Sequence, residues 1–278
     1  MLFSLIVPTL NRKKYLINLL KSLENQDLKN FEVIIIDQNP VEFLKDIISE
    51  WGMKINIIYK NVNFKGACKA RNYGAKFANG EYIAFPDDDT EYSRDVLSLV
   101  AEGFKSIDDA DILITNCLDH DSSKAVLNKI NKKVFLIKSI YGLLKERIVT
   151  SQIFLKSSMF ENSSYIFDEM MGPGACTPYA SNDETDLLIR ALKDKKKIYL
   201  NRNILIFHPT NYPHYQKAYL YGLGRFRLIQ KHNLGISFYL INILQPVIRL
   251  IYSFKFKNTK SFIASSLGRA GIHYFLKK

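Results

Sequence analysis

Beyond Asp194 the sequence contains no aspartate or glutamate. From Lys195 onward it carries 15 Lys and Arg, whereas residues 1–194 hold the other 24 and all 27 acids, a net of −3. A stretch this one-sided cannot neutralise itself. It points to an anionic partner: a nucleic acid, a phospholipid surface or a phosphorylated substrate. Cysteine is also scarce. Cys68, Cys117 and Cys176 lie far apart without disulfide-framework or metal-ligand spacing, which suits structural thiols in a reducing compartment. Neither GxGxxG nor a Walker lysine motif occurs, so a Rossmann dehydrogenase and a P-loop ATPase are poorly supported. RNP, KH and zinc-finger patterns are missing too, which counts against nucleic acid as the partner. Internal repeats and low-complexity segments are absent, and 47% hydrophobic with 24% charged residues is an ordinary globular balance.

What is present is an alternation. The opening "MLFSLIVPTLNRKK" has neither the charged start nor the long apolar run of a signal peptide, and it reads as a first strand. "LFSLIVP", "FEVIIID", "KINIIY", "EYIAF" and "DILITN" are near-continuous apolar runs, as expected of a sheet buried on both faces. Helical spacing fills residues 12–25, 41–50, 66–78 and 92–105, and Leu16, Leu19, Leu20 and Leu23 form one stripe. Strand alternating with helix predicts a parallel α/β sheet with right-handed crossovers. Residues 120–165 are less regular, with "KINKKVFLIK" and "TSQIFLKSS" as strands of a mixed half. A helix over 183–193, a strand "IYLNRNILIFH" and a helix over 213–232 follow.

Ligands of open α/β sheets gather at the carboxyl ends of the strands. Thr9 and Asn11, Asp37, and the triplet Asp87, Asp88 and Asp89 all fall at such ends. Each alone could be a cap or a turn former, but several together favour a site. The triplet in "EYIAFPDDDT" suits a divalent cation that takes oxygen ligands and completes its shell with phosphates; the alternative is an acidic loop. No basic residue adjoins it in sequence, so mutual repulsion predicts that removing Asp89 leaves metal-free stability unchanged or raised. "GACKARNYGAKFANGEY" opens a helix with Lys69, Arg71 and Asn72, either an anion site at a helix N-terminus or an ordinary basic helix. "SNDETDLLIRAL" places Asp183, Glu184 and Asp186 at a helix start, where the dipole alone would favour acids; one of them could instead be a general base. "GPGACTP" before it reads as a flexible small-residue loop, and His208 ends a strand ahead of Pro209.

Taken together, "SLIVPTLNR", "EVIIIDQN", "GACKARNYGAKFANGEYIAFPDDD" and "NDETDLLIRAL" followed by "FHP" resemble the inverting nucleotide-sugar glycosyltransferases of family 2, over roughly residues 3–210. The tail more loosely resembles bacterial capsule and lipopolysaccharide glycosyltransferases. The resemblance implies a GT-A fold, an α/β architecture whose Rossmann-like, mostly parallel central sheet is flanked by helices. It places the transferase domain at 1–212 and a basic, aromatic helical extension at 213–278. Pro8, Thr9 and Asn11 would line the nucleotide pocket, Asp37 would accept hydrogen bonds from base or ribose, and Arg71 would lie against base or diphosphate. Asp87 would lean to the ribose and Asp89 to Mn²⁺ or Mg²⁺, with Asp88 between them and His208 near the diphosphate as a further metal ligand. The family's base comes from a Glu-Asp pair; the order here is inverted, so Glu184 takes the base position and Asp183 remains a rival. The implied reaction moves a sugar from a nucleotide-sugar donor, a UDP-sugar favoured, to a glycan or lipid-linked saccharide acceptor in surface polysaccharide synthesis.

The residues bear on two other classes. A sugar-phosphate nucleotidyltransferase should carry a glycine-rich basic loop after the first strand, and "PTLNRKKY" has no glycine. A nucleic-acid-binding protein would leave the acid clusters unexplained. The tail itself has an uncharged run from Asn233 to Ile248, 16 residues, short of the about 20 that a spanning helix needs and interrupted by Pro246. The expectation is an interfacial helix on an anionic membrane, with Lys255, Lys257 and Lys260 toward the headgroups and the enzyme peripheral at the cytoplasmic face. A helix covering the core or a homodimer contact is the alternative.

Overall fold

The computed structural model describes residues 1–119, 134–160, 167–209, 214–253 and 259–272. The chain divides into two compact units, one of Met1–Lys65, Lys69–Phe167 and Leu187–Thr210, the other of Gly66–Cys68, Asp168–Asp186 and Asn211–Lys278. The second unit therefore gathers two short earlier segments together with the residues expected to form the extension.

In the first unit, strands β1 (Phe3–Thr9), β2 (Phe31–Asp37), β3 (Ile57–Asn61) and β4 (Tyr82–Ala84) alternate with helices α1 (Lys13–Glu24), α2 (Lys45–Trp51) and α3 (Ala67–Ala75). Then come β5 (Glu91–Tyr92), α4 (Val96–Ser106), β6 (Ile112–Leu118), β7 (Val134–Leu136), α5 (Ile140–Lys145), β8 (Ile153–Lys156), α6 (Asp183–Lys193) and β9 (Ile198–Phe207). The sheet order is β3-β2-β1-β4-β8-β6-β9-β5, with β7 also on β9. Parallel pairing joins β3, β2, β1 and β4, and again β6 with β9. β8 runs antiparallel between β4 and β6, which makes the later half mixed, and β5 and β7 run against β9. Of "KINKKVFLIK", residues 129–133 lie outside the described residues.

The seven residues of β1 and of β2 are all buried, as a doubly covered sheet requires. Leu16, Leu19, Leu20 and Leu23 close over Leu5, Val7, Val33 and Ile35 in one core cluster. Each such leucine contributes about 1.5–3 kcal/mol. Pro8 is tolerated inside β1 because pairing with β4 stops at Leu5, leaving no ladder there for its missing N–H to break.

The second unit is dominated by α7 (Tyr215–His232), α8 (Gly235–Ser253) and α9 (Thr259–Arg269). Asn233 caps α7 in the left-handed region at φ 52°, a conformation asparagine tolerates. Pro246 sits inside α8 and cannot donate to the carbonyl of Asn242. Arg269 Nη1 takes that role, donating to Asn242 O at 3.0 Å and to Gln245 Oε1 at 2.8 Å. α7 and α9 meet backbone to backbone: a Cβ on Gly268 would lie 2.2 Å from Tyr219 O, and one on Gly222 would lie 2.4 Å from Ser265 O. Neither carbonyl can swing aside as a side chain could. Gly268→Ala should therefore separate the two helices and cost about 1–3 kcal/mol, read as a lower midpoint in urea unfolding.

Candidate active site

In the first unit the parallel strands end at one edge of the sheet. Register sets Thr9 opposite Asp37 and Asp37 opposite Asn61. Asp37 is fully buried and saturated by its neighbours. Its Oδ1 accepts from the backbone N–H and side chain of Asn39 at 2.9 and 2.6 Å, and its Oδ2 accepts from the Tyr59 hydroxyl at 2.8 Å. Burial and that hydrogen bond raise the Tyr59 phenol. Asn39 Oδ1 in turn accepts from the Asn11 N–H at 2.6 Å, which fixes Asn11 at φ 59°. Asn11 is exposed, whereas Pro8 and Thr9 are buried.

The acid loop follows β4 at this edge. Its three carboxylates are held apart by groups from distant parts of the chain. Arg71 is 2% exposed, lies over the Phe167 ring and binds Asp87 Oδ1 at 2.6 Å. Asp88 accepts from Thr9 Oγ1 at 2.8 Å and from Arg12 Nη1 at 3.0 Å. Asp89 takes Arg12 Nη1 at 2.6 Å on Oδ2 and faces His208 Nε2 at 3.2 Å with Oδ1. His208 also lies 3.9 Å from Asp87 Oδ2. Buried Ser151 Oγ accepts from the Asp87 N–H at 2.9 Å and the Thr90 hydroxyl at 2.7 Å, pinning the loop.

These contacts correct the expectation of an uncompensated triplet. The cations are absent from the neighbouring sequence but present in space, so removing Asp89 forfeits two pairings and lowers metal-free stability. Burial drives the Asp88 carboxyl up to about 6 against its hydrogen bonds from Thr9 and Arg12. Burial acts the same way on Asp89, but His208 and Arg12 outweigh it and hold that carboxyl at about 2. His208 is the counterpart: burial lowers it, while the contact with Asp89 and the charges of Asp87 and Asp89 win and raise it.

Asp87, Asp89 and His208 each turn one ligand atom inward, all within 4.8 Å of one another. Asp89 Oδ1 is buried and, apart from the ion pair with His208, accepts no hydrogen bond among the described residues. Two carboxylate oxygens and an imidazole nitrogen, one oxygen of them buried without a hydrogen bond, are a donor set that fits Mn²⁺ or Mg²⁺. Asp87 thus stands inside the cluster, and Arg71 meets it through that carboxylate. The other polar groups of α3 are also engaged: Lys69 lies over Phe64, and Asn72 exchanges two hydrogen bonds of 2.9 Å with the Phe167 backbone.

In the second unit the two candidate bases differ sharply. Asp183 is 2% exposed, and Cys68 Sγ donates to it at 3.3 Å. A Cβ on Gly172 (φ 88°) would come within 2.9 Å of its carboxylate, so the glycine-rich loop is packed against Asp183 rather than free of it. Glu184 is half-buried and accepts from Thr185 Oγ1 at 2.9 Å. Asp186 is fully buried, with His232 Nε2 and Lys231 Nζ each at 2.8 Å. Sequence reasoning missed Arg12, Asn39, Tyr59 and Ser151. The position of Arg12 directly after β1 was a usable signal; nothing local marked Ser151.

The profile described as Glycosyl transferase family 2 matches residues 4–159. A curated relative from Campylobacter jejuni, a GalNAc(5)-diNAcBac-PP-undecaprenol beta-1,3-glucosyltransferase, is 32% identical over 50% of this chain and 48% of its own. The Staphylococcus aureus poly(ribitol-phosphate) beta-N-acetylglucosaminyltransferase TarS is 36% identical over 35% of this chain and 18% of its own. Its crystal structure with UDP-GlcNAc (residues 1–349) superposes at TM-score 0.58 and 18% identity, covering 97% of this chain and 72% of that one. The Pyrobaculum calidifontis mannosyltransferase PcManGT, in complex with GDP-Man and Mn²⁺, gives TM-score 0.68 at 12% identity, covering 97% and 86%. The structural likenesses show the fold. The sequence matches span half or less of each of these curated relatives.

Asp88 gives a pH test in the metal-free protein. Its folded carboxyl holds the proton more tightly than the unfolded chain does, so ionisation drains stability as pH rises from 3.8 toward about 6. Asp88→Asn should therefore be about 2–3 kcal/mol more stable than the parent at pH 7 and no more stable at pH 4. Urea unfolding at the two pH values reads the difference.

Proposed function

Because the chain belongs to glycosyl transferase family 2, we propose that it transfers a sugar, with inversion, from a nucleoside diphosphate sugar to a hydroxyl of a glycan or lipid-linked saccharide. The observation that carries the reading is the convergence of Asp87, Asp89 and His208 within 4.8 Å at the strand-end edge, beside buried Asp37 and Thr9. A UDP-sugar is the favoured donor, in keeping with the UDP-GlcNAc bound by TarS. A lipid-linked acceptor is in keeping with the undecaprenol-linked saccharide in the name of the Campylobacter relative. Surface polysaccharide synthesis at the cytoplasmic face of the membrane is the corresponding setting.

Asp87, Asp89 and His208 would hold Mn²⁺ or Mg²⁺. When bound there, such a cation offsets diphosphate charge and improves the leaving group. Asp37 would accept from base or ribose in exchange for the hydrogen bonds it takes here from Asn39 and Tyr59, with Pro8, Thr9 and Asn11 lining the nucleotide pocket. Arg71 fixes Asp87, and Asp88 ties Thr9 and Arg12 to the acid loop. Glu184, more accessible than Asp183, takes the proton of the acceptor hydroxyl as its oxygen attacks the anomeric carbon. The bond from that carbon to the diphosphate oxygen breaks on the opposite face, and the configuration inverts.

The test is release of nucleoside diphosphate from a panel of UDP- and GDP-sugars, with Mn²⁺ and with chelator. Metal-dependent turnover of a UDP-sugar is expected; no turnover or binding of any nucleotide sugar overturns the reading. Asp89→Ala should abolish the Mn²⁺-dependent thermal shift given by UDP. Glu184→Gln should lower turnover about 10²–10⁴-fold while donor affinity, measured by calorimetry, stays within a few-fold. The reverse pattern, with Asp183→Asn inactive and Glu184→Gln active, moves the base to Asp183.

A further inference from the structure

Helix α8 is built inside out. Two of its polar side chains, Asn242 and Gln245, face the protein: Asn242 is buried, and Asn242 Oδ1 and Gln245 Oε1 both accept from Arg269 Nη1, at 3.2 and 2.8 Å. The opposite face carries Ile236, Leu240, Ile241, Leu244, Ile248 and Ile251, each between 48% and 71% exposed. At about 100° per residue these six fall within an arc of roughly 140°, an apolar stripe interrupted only by Ser237 near the helix start among the described side chains. A helix facing water presents the reverse arrangement.

We infer that α8 lies in the plane of an anionic lipid bilayer, with this stripe at the headgroup–acyl boundary and Asn242, Gln245 and Arg269 on the protein side. The inference stands apart from the sugar-transfer reading. Three observations select a bilayer. No described helix is long and apolar enough to cross a membrane, so contact is with the surface. Pro246 frees the Asn242 carbonyl, and Arg269 satisfies it from within at 3.0 Å, as backbone near hydrocarbon requires. Besides the inward-facing Arg269, residues 234–278 contain six Lys and Arg and no acid, so anionic headgroups complement them, whereas a second copy of the same face would bring like charge.

The experiment is flotation of the full chain with phosphatidylcholine vesicles, with and without phosphatidylglycerol, beside sedimentation of the protein alone. The full chain is expected to float with the anionic vesicles and to be released by high salt. The floated fraction should fall at least about tenfold on neutral vesicles and in the Leu240→Glu, Leu244→Glu, Ile248→Glu variant. Unchanged thermal unfolding of the variant shows that its fold persists. Should the glutamates unfold the helices, serines at the same positions carry the same comparison by removing apolar area alone. Equal flotation of variant and parent overturns the face assignment, and equal flotation on neutral lipid overturns the anionic selectivity. A parent that stays unbound and sediments as a dimer, split by the variant, overturns the bilayer and makes a second copy the occupant.

Discussion

Compensation of three adjacent carboxylates is the constraint around which the first unit is arranged. Leaving one of them buried and unpaired would cost several kcal/mol, so each is assigned its own partners: Arg71 for Asp87, Thr9 and Arg12 for Asp88, Arg12 and His208 for Asp89. These partners arrive from β1, α3 and the end of β9, which fixes the strand ends relative to one another more tightly than apolar packing alone. The same arrangement makes the edge responsive. A cation held among Asp87, Asp89 and His208 would compete for the imidazole nitrogen with the proton that the two acids favour. Metal affinity and proton affinity would thus be opposed at one side chain.

Much of this was legible in advance. The runs of β1 and β2 are apolar without interruption, and the α1 leucines recur at helical spacing, so burial on two faces could be read directly. The acids at strand ends could be read as well, because the direction of a parallel sheet dictates which end they share. What could not be read is whatever depends on pairing between distant segments. β8 inserts antiparallel between β4 and β6 and delivers Ser151 beneath the acid loop, and no local pattern announces that insertion. The pairing of Arg71 with Asp87 is of the same kind, because periodicity shows a helix's faces without saying which one meets an acid. The 66–68 and 168–186 segments joined the tail for the same reason.

The second unit solves its polar problems internally. Asp186, fully buried, is met by His232 and Lys231, and Lys231 also reaches Asp168 at 2.7 Å. Charge is thereby satisfied between α6 and α7 without recourse to solvent. In α8 a proline-freed carbonyl is satisfied by an arginine of α9, the next helix in the chain. Composition alone marks residues 233–248 as apolar; only the packing of α8 against α9 decides which side remains uncovered.

His208 lies far downstream of the acids it completes. At about 5–20 residues per second, a ribosome delivers it on the order of ten seconds after Asp89. β9, which carries it, also supplies the pairing for β5, β6 and β7. The nascent chain can therefore close β1 to β4, with Arg12 and Arg71 already beside the acids, while half of the sheet edge still waits. The Asp87, Asp89 and His208 cluster is therefore completed only when the segment after β9 has been made, whereas the arginine partners of the acids precede it in the chain.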